Sequence, residues 1–229
     1  MNAMLKCAMI ALSLTFSVGM VGAQDKANLS TLSKVIAGNE NNEVSYLIPQ
    51  RPEDISPLLI GEKVPVAMLS DASGRDIDLN KLISEKPTIL IFYRGGWCPY
   101  CSRQLSGLQR SAPQLEKLGY QLIAVSTDMP GGLAESVKEE RLNYTLLSDA
   151  DLSLAKKFGI AFKAPKGYWE MLPKTTGGKN KDLLLPVPSV FILDKTGAIQ
   201  FEYINPDFKQ RMSSELLTTA ATVIKKEIK

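Results

Sequence analysis

The feature that most narrows what this chain can fold into is the placement of Cys98-Pro99-Tyr100-Cys101 between an apolar run and a helical period. Thr88-Ile89-Leu90-Ile91-Phe92-Tyr93 is a continuous β-branched and aromatic stretch, the composition of a central strand covered on both faces. It stops at Arg94-Gly95-Gly96-Trp97. From Cys98 onward, Leu105, Leu108, Ala112, Leu115 and Leu118 recur at three- and four-residue steps until Gly119 closes the pattern. A helix beginning at Cys98 places that sulfur beside unpaired backbone N–H groups and the positive end of the helix dipole, which favour thiolate over thiol. Pro99 suits the first turn, and Cys101 follows one turn along. Pro113 lies inside the pattern and predicts a kink or a split near Ala112.

Composition removes most competing chemistries. The chain contains no histidine, which excludes Ser-His-Asp and Cys-His catalysis, His-ligated metals and imidazole proton shuttles. The third cysteine, Cys7, falls in an apolar run from Cys7 to Met20 that follows Lys6 and leads into Val21-Gly22-Ala23. This run is short and broken by Ser13, Thr15, Ser17 and Gly19, so residues 1–23 read as a cleaved secretory leader rather than a membrane anchor. Two remaining cysteines cannot build a four-thiolate metal site, and neither metal nor cofactor is expected. With 27 basic and 24 acidic residues the charge is nearly balanced, so nucleic acid and anionic membrane are not expected partners. Export places the dithiol in an oxidising setting, the periplasm in a two-membrane bacterium.

The rest of the chain supplies one α/β domain. Residues 24–60, polar and rich in Asn and Pro, read as an N-terminal extension wrapping onto the domain of residues 61–229. Val64 to Leu69 and a return through Ile77 and Leu79 flank the turn residues Ser70 to Gly74. Gln121 to Ser126 is a second buried strand, followed by a helix after Pro130, a short strand at Thr145 to Leu147 and a helix through Ala155 and Phe158. Residues 161–185 have no clear period and read as a long surface insertion. Val190 to Leu193 and Ala198 to Tyr203 flank Asp194-Lys195-Thr196-Gly197, a hairpin signature, and an amphipathic helix follows from about Ser213 with Leu216, Leu217, Ala220, Val223 and Ile224 on its apolar side. A parallel portion finished by an antiparallel hairpin and a last helix is the thioredoxin arrangement, a central mixed sheet flanked by helices.

Within that arrangement Cys98 is the nucleophile and Cys101 the resolving thiol. A purely stabilising disulfide is the bland alternative, but closing so small a loop is worth only about 2 kcal/mol by loop entropy. Pro188, opening the strand at Val190, resembles the cis-proline that sits against the dithiol in thioredoxin folds.

Phe92-Tyr93-Arg94-Gly95-Gly96-Trp97-Cys98-Pro99-Tyr100-Cys101, then Leu185-Pro186-Val187-Pro188, Phe191-Ile192-Leu193-Asp194, Asn205-Pro206-Asp207-Phe208 and Arg211 together resemble the bacterial peroxiredoxin-like proteins of the alkyl hydroperoxide reductase and thiol-specific antioxidant superfamily. The resemblance runs from about Arg51 to the C-terminus. It implies antioxidant or thiol-disulfide oxidoreductase activity, with Arg94, Trp97, Pro99, Tyr100, Val187 and Pro188 as substrate-binding residues around the two cysteines. The chain departs from true peroxiredoxins in their Pro-x-x-x-Thr-x-x-Cys segment, where it carries Ile91 and Gly95, and in their distant arginine, whose place Pro188 takes. Arg94 and Arg211 are the arginines open to replacing it. It departs from thioredoxin in carrying Phe92 where a buried aspartate stands. On this reading thiol-disulfide exchange, with proteins or small disulfides as partners, ranks ahead of a thiol peroxidase acting on hydrogen or organic peroxides. A non-catalytic binding module ranks third.

Overall fold

The computed structural model describes residues 47–228; the expected leader (1–23) and residues 24–46 of the expected extension lie outside them. In chain order the elements are β1 (Met68–Asp71), β2 (Asp76–Asp78), α1 (Leu79–Glu85), β3 (Thr88–Phe92), α2 (Pro99–Lys117), β4 (Gln121–Ser126), α3 (Pro130–Glu140), β5 (Thr145–Ser148), α4 (Ser153–Lys157), β6 (Ala161–Lys163), α5 (Leu172–Thr175), β7 (Leu184–Pro186), β8 (Ser189–Leu193), β9 (Ile199–Ile204) and α6 (Ser214–Ile224). Seven strands form one mixed sheet in the order β2-β1-β5-β4-β3-β8-β9. The strands β3, β4 and β5 are parallel to one another, and β8 and β1 join them antiparallel.

Strand β3 explains why the apolar run had to be continuous. Its side chains alternate across the sheet. Ile89, Ile91 and Tyr93 face a layer with Cys98, Cys101, Leu105 and Leu108 of the dithiol segment, Leu133 of α3 and Leu217 of α6. Leu90 and Phe92 face the opposite layer, with Leu79 and Ile83 of α1 and Leu154, Ala155 and Phe158 from α4 and its C-terminus. Phe92, Phe158 and Phe191 pack ring to ring at 4.8–6.1 Å. Each such side chain stabilises the fold by roughly 1.5–3 kcal/mol through burial alone.

The described part of the extension, from Leu47, lies along the end of α4. Ser56 N–H donates to Gly159 O, Leu58 N–H to Phe158 O, and Lys163 N–H to Pro49 O. Gly159 has φ +68, and a Cβ there would fall on the carbonyl of Ser56, so this crossing requires glycine on both counts.

Several sequence expectations are corrected here. Helix α2 runs through Pro113 without the split that the sequence allowed, held across the lost backbone donor by Ala112 and Leu115, both fully buried. Residues 161–185 are not a surface insertion: they fold into β6, α5 and β7, and Leu172, Thr176, Asn180 and Leu184 lie inside. The Asn180 side chain accepts from Leu184 N–H and donates to Leu184 O, so a side chain supplies the hydrogen bonds that periodic structure would otherwise provide. Strand β1 begins only at Met68, leaving Val64 buried in a loop, and Leu79 begins α1 instead of ending β2. On α6 the buried stripe is Leu217 and Ala221; Leu216 and Val223 point to solvent.

Candidate active site

Helix α2 starts as its sequence requires. Cys98 is the N-cap, in extended conformation, and Pro99 occupies the first helical position. The amides of Cys101 and Ser102 close the first turn on Cys98 O at 2.8 and 3.1 Å. The loop leading into it is fixed from the next strand: Thr127 Oγ1 donates to Arg94 O, and Gly96 N–H donates to Asp128 Oδ2 at 2.7 Å. Ser102 Oγ then donates to Gly96 O. Gly95 has φ +154, and a Cβ at this position would collide with the indole of Trp97 and lie 2.7 Å from Asp128 Oδ1. No threonine fits there, which accounts physically for the departure from the peroxiredoxin pattern three residues before Cys98.

Both sulfurs are buried. Cys98 is 2% exposed and Cys101 fully enclosed. The reason is the ring cluster over the loop, in which Trp97 lies against Tyr168 and Tyr100 against Phe208, each pair at 5.6 Å. The two thiols have opposite electrostatics. The Cys98 thiol is lowered to about 5 by a hydrogen bond from the Cys101 thiol, then by the Cys101 backbone N–H and the charges of Arg94 and Arg211, all acting against burial. Burial and the hydrogen bond to Cys98 push Cys101 well above the usual thiol range. Arg211 reaches this inner thiol directly, with Nη2 3.4 Å from Cys101 Sγ, and is held by Gln104 Oε1 and Phe208 O.

Arg94 is placed differently. It is 3% exposed, and its guanidinium carbon lies 4.2, 4.5 and 5.1 Å from the ring centres of Phe208, Tyr168 and Trp97. Each ring contributes about 0.5–2 kcal/mol of cation–π attraction. Pro188 is buried beside it, on the wall of a cavity that Arg94 also lines. Among the described residues no peptide bond is cis, so the cis-proline expected at Pro188 is absent; the Val187-Pro188 corner spans the step from β7 to β8 in trans. Val187 is fully buried and donates its N–H to Ile160 O. Pro99 is exposed and Tyr100 half-buried, with exposed Arg103 over the Tyr100 ring. Among the described residues no three Cys, Asp or Glu side chains converge as a metal site.

Sequence reasoning missed Asp128 and left Arg211 with no assigned contact. Asp128 is buried, its carboxyl raised to about 6 by desolvation against the hydrogen bonds from Gly96 and Ser126. Its signal was present as a charged residue at the end of an apolar strand, in Ser126-Thr127-Asp128-Met129.

A low-lying Cys98 thiol makes a definite pH signature. An unshifted thiol gains reactivity tenfold per pH unit up to about 8.5, because only thiolate attacks. Here the second-order rate of Cys98 oxidation is expected to be flat from about pH 6.5 to 8 and to fall by half near pH 5. Stopped-flow thiol loss across that range checks it.

A buried cysteine with a lowered thiol at the N-cap of the helix after the first parallel strand, with a second cysteine one turn along, defines a thioredoxin-fold thiol oxidoreductase. The comparisons make the class specific. The AhpC/TSA family model matches residues 60–202, and the chain belongs to that family as a peroxiredoxin-like oxidoreductase. It is 30% identical over 155 residues to Peroxiredoxin Bcp of Escherichia coli strain K12, covering 68% of this chain and 90% of the relative. Against the putative peroxiredoxin bcp of Haemophilus influenzae it is 32% identical over 106 residues, 46% of this chain and 68% of the relative. Among solved structures, Peroxidoxin BcpB from Mycobacterium tuberculosis superposes with TM-score 0.59 at 21% identity, covering 74% of this chain and 97% of that one. Reduced Prx3 in complex with H2O2 from Vibrio vulnificus gives 0.61 at 21% identity, covering 72% and 99%. At these identities the structural likeness establishes the shared fold.

Proposed function

We propose that this protein is a thiol peroxidase, with Cys98 as peroxidatic and Cys101 as resolving cysteine. This reverses the sequence-based ranking, which put thiol-disulfide exchange first. The observation that carries it is the position of Cys98, 2% exposed at the N-cap of α2, where its thiol is lowered to about 5. A peroxide is small enough to enter such a site, whereas exchange with a protein disulfide requires a peptide backbone to reach the sulfur. Family membership and the peroxiredoxin relatives support the same reading.

The Cys98 thiolate attacks the outer peroxide oxygen. The S–O bond forms as the O–O bond breaks, sulfur is oxidised to sulfenic acid, and the leaving oxygen takes a proton to depart as water or an alcohol. The Cys101 thiol then displaces water from the sulfenic acid, closing a disulfide one helical turn long. An external thiol reductant returns the pair to the dithiol state. Arg94 and Arg211 supply the positive charge that the missing family arginine would bring, favouring thiolate and the departing oxygen. Residues 1–23 as an export leader place this chemistry outside the cytoplasm, in the periplasm for a two-membrane bacterium.

The test is a competition. Reduced protein is mixed with hydrogen peroxide or with an oxidised model dithiol protein at equal concentration, and thiol loss is followed by stopped flow. Peroxide is expected to react at least about tenfold faster, the small oxidant alone having access to the thiolate. A faster reaction with the protein disulfide would restore disulfide exchange as the function.

A further inference from the structure

Of the two steps in the proposed cycle, the second has the harder nucleophile. Cys101 is fully enclosed, in the apolar layer that also holds Ile89, Ile91, Leu105 and Leu108. Such a setting opposes thiolate, yet this sulfur must supply the electron pair that closes the disulfide. Once Cys98 has become a sulfenic acid, the anion that accepted the Cys101 hydrogen bond is gone. The charge that builds on the inner sulfur then needs another partner.

Arg211 is placed as that partner. Neutral acceptors aim its guanidinium: Nε donates to Phe208 O at 2.6 Å and Nη1 to Gln104 Oε1 at 2.7 Å, which leaves Nη2 on Cys101 Sγ at 3.4 Å. Gln104 follows Cys101 by three positions on α2, so amide and sulfur share one helix face. The segment that brings Arg211 is itself fixed, by Asp207 N–H donating to Asn205 Oδ1 and by the Phe208 ring against Tyr100. Among the described residues no carboxylate pairs with Arg211. Neutral acceptors orient a cation without cancelling its charge, so the whole charge acts on the sulfur. No other cation among the described residues is hydrogen-bonded to either cysteine; Arg94 is held by its three rings instead.

We infer that Arg211 is a catalytic residue of the resolving step, its Nη2 holding the negative charge that develops on Cys101 Sγ as this sulfur attacks the Cys98 sulfenic acid. The inference rests on the thiol peroxidase reading and assigns a group to its second half. An electron pair of the Cys101 sulfur forms the S–S bond while the Cys98 S–O bond breaks, and the departing hydroxide takes the proton that Cys101 gives up and leaves as water. The donor is in position beforehand, so its stabilisation is present when the charge appears. Burial and the hydrogen bond to Cys98 raise the Cys101 thiol, and Arg211 is the largest influence opposing them; on Cys98 it ranks behind Cys101 and Arg94.

The experiment follows one turnover in reduced wild type, Arg211→Gln and Arg211→Lys. Equimolar hydrogen peroxide is added at about pH 7, and timed samples are quenched with a sulfenic-acid reagent for intact-mass measurement of sulfenic acid and disulfide. Arg211→Gln is expected to form sulfenic acid within about threefold of the wild-type rate, because a thiol lowered to about 5 stays ionised after losing one of its lesser supports. Its conversion to disulfide is expected to slow at least about tenfold, the size of one charge-assisted hydrogen bond. Arg211→Lys, which keeps the charge and loses the fork, is expected to recover part of that rate. The split between steps separates this role from a structural one, since a displaced helix start would slow both. Equal disulfide rates in wild type and Arg211→Gln would overturn the inference, as would an Arg211→Lys rate no better than that of Arg211→Gln. A second arm needs no peroxide: methyl methanethiosulfonate transfers its methylthio group to Cys98, and Cys101 displaces methanethiol to close the same disulfide. If hydrogen peroxide leaves the wild-type thiols intact, the peroxidase reading fails and this arm decides Arg211 by itself. Closure at least about tenfold slower in Arg211→Gln upholds Arg211 as the group that activates Cys101, and an unchanged rate removes it.

Discussion

Cys98→Ser is expected to abolish peroxide consumption, lowering the rate by at least about 1000-fold. Of the two thiols only that of Cys98 is lowered into the reactive range; Cys101 is held well above it. Serine keeps the shape but has a hydroxyl that does not ionise in the working range, so neither Arg94 nor Arg211 has an anion to stabilise. The loss is chemical and leaves the fold intact, for a reason visible in the helix. Cys98 is the N-cap of α2, where its sulfur is only a weak acceptor for the first-turn amides. Serine is among the preferred N-cap residues and can accept from the amides two or three positions on. Thermal unfolding of Cys98→Ser is therefore expected at or slightly above the wild-type temperature, while stopped-flow peroxide consumption falls to background. Residual consumption at a tenth of the wild-type rate would move the reaction away from Cys98.

The dithiol helix and the two-faced strand before it were readable because both depend on local pattern. Thr88 to Tyr93 is apolar at every position that two packed layers demand, and Pro99 follows the N-cap where its missing donor costs nothing. The alternation of β3 between the α2 layer and the α1/α4 layer needs no information beyond those six residues. Residues 161–185 failed for the opposite reason. Their core contacts use short strands and the Asn180 side chain, so no period of two or 3.6 survives in the sequence although Leu172 and Leu184 are completely buried.

The character of the arginines was equally out of reach. Arg94 is buried only because Trp97, Tyr168 and Phe208, brought from three separate segments, close over it. Arg211 reaches Cys101 across 110 residues of chain. Both positions depend on tertiary packing, which can hide a charged residue that local sequence marks as surface. Burial of Cys98 belongs to the same set, and it is what turns the functional reading from disulfide exchange toward peroxide reduction.

The second large effect separates the two cysteines. Cys101→Ser is expected to oxidise once at a rate within about threefold of the wild type and then stop, holding sulfenic acid on Cys98. The first step survives because its driving force, the lowered Cys98 thiol, rests chiefly on a hydrogen bond donated from position 101, and a serine hydroxyl can donate it too. Turnover with an external thiol is expected to fall at least about 100-fold, since a bimolecular attack on the sulfenic acid must replace an intramolecular one of far higher effective concentration. Trapping with a sulfenic-acid reagent and intact-mass measurement checks the stalled state. Cys101→Ala supplies the control that a merely structural role would not move: with no donor at 101 and only the Arg94 and Arg211 charges left, the Cys98 titration should shift alkaline by about one pH unit, and the rate profile with it. If the serine and alanine variants share one pH profile, the hydrogen bond between the sulfurs is not what ionises Cys98, and the arginines must do that alone.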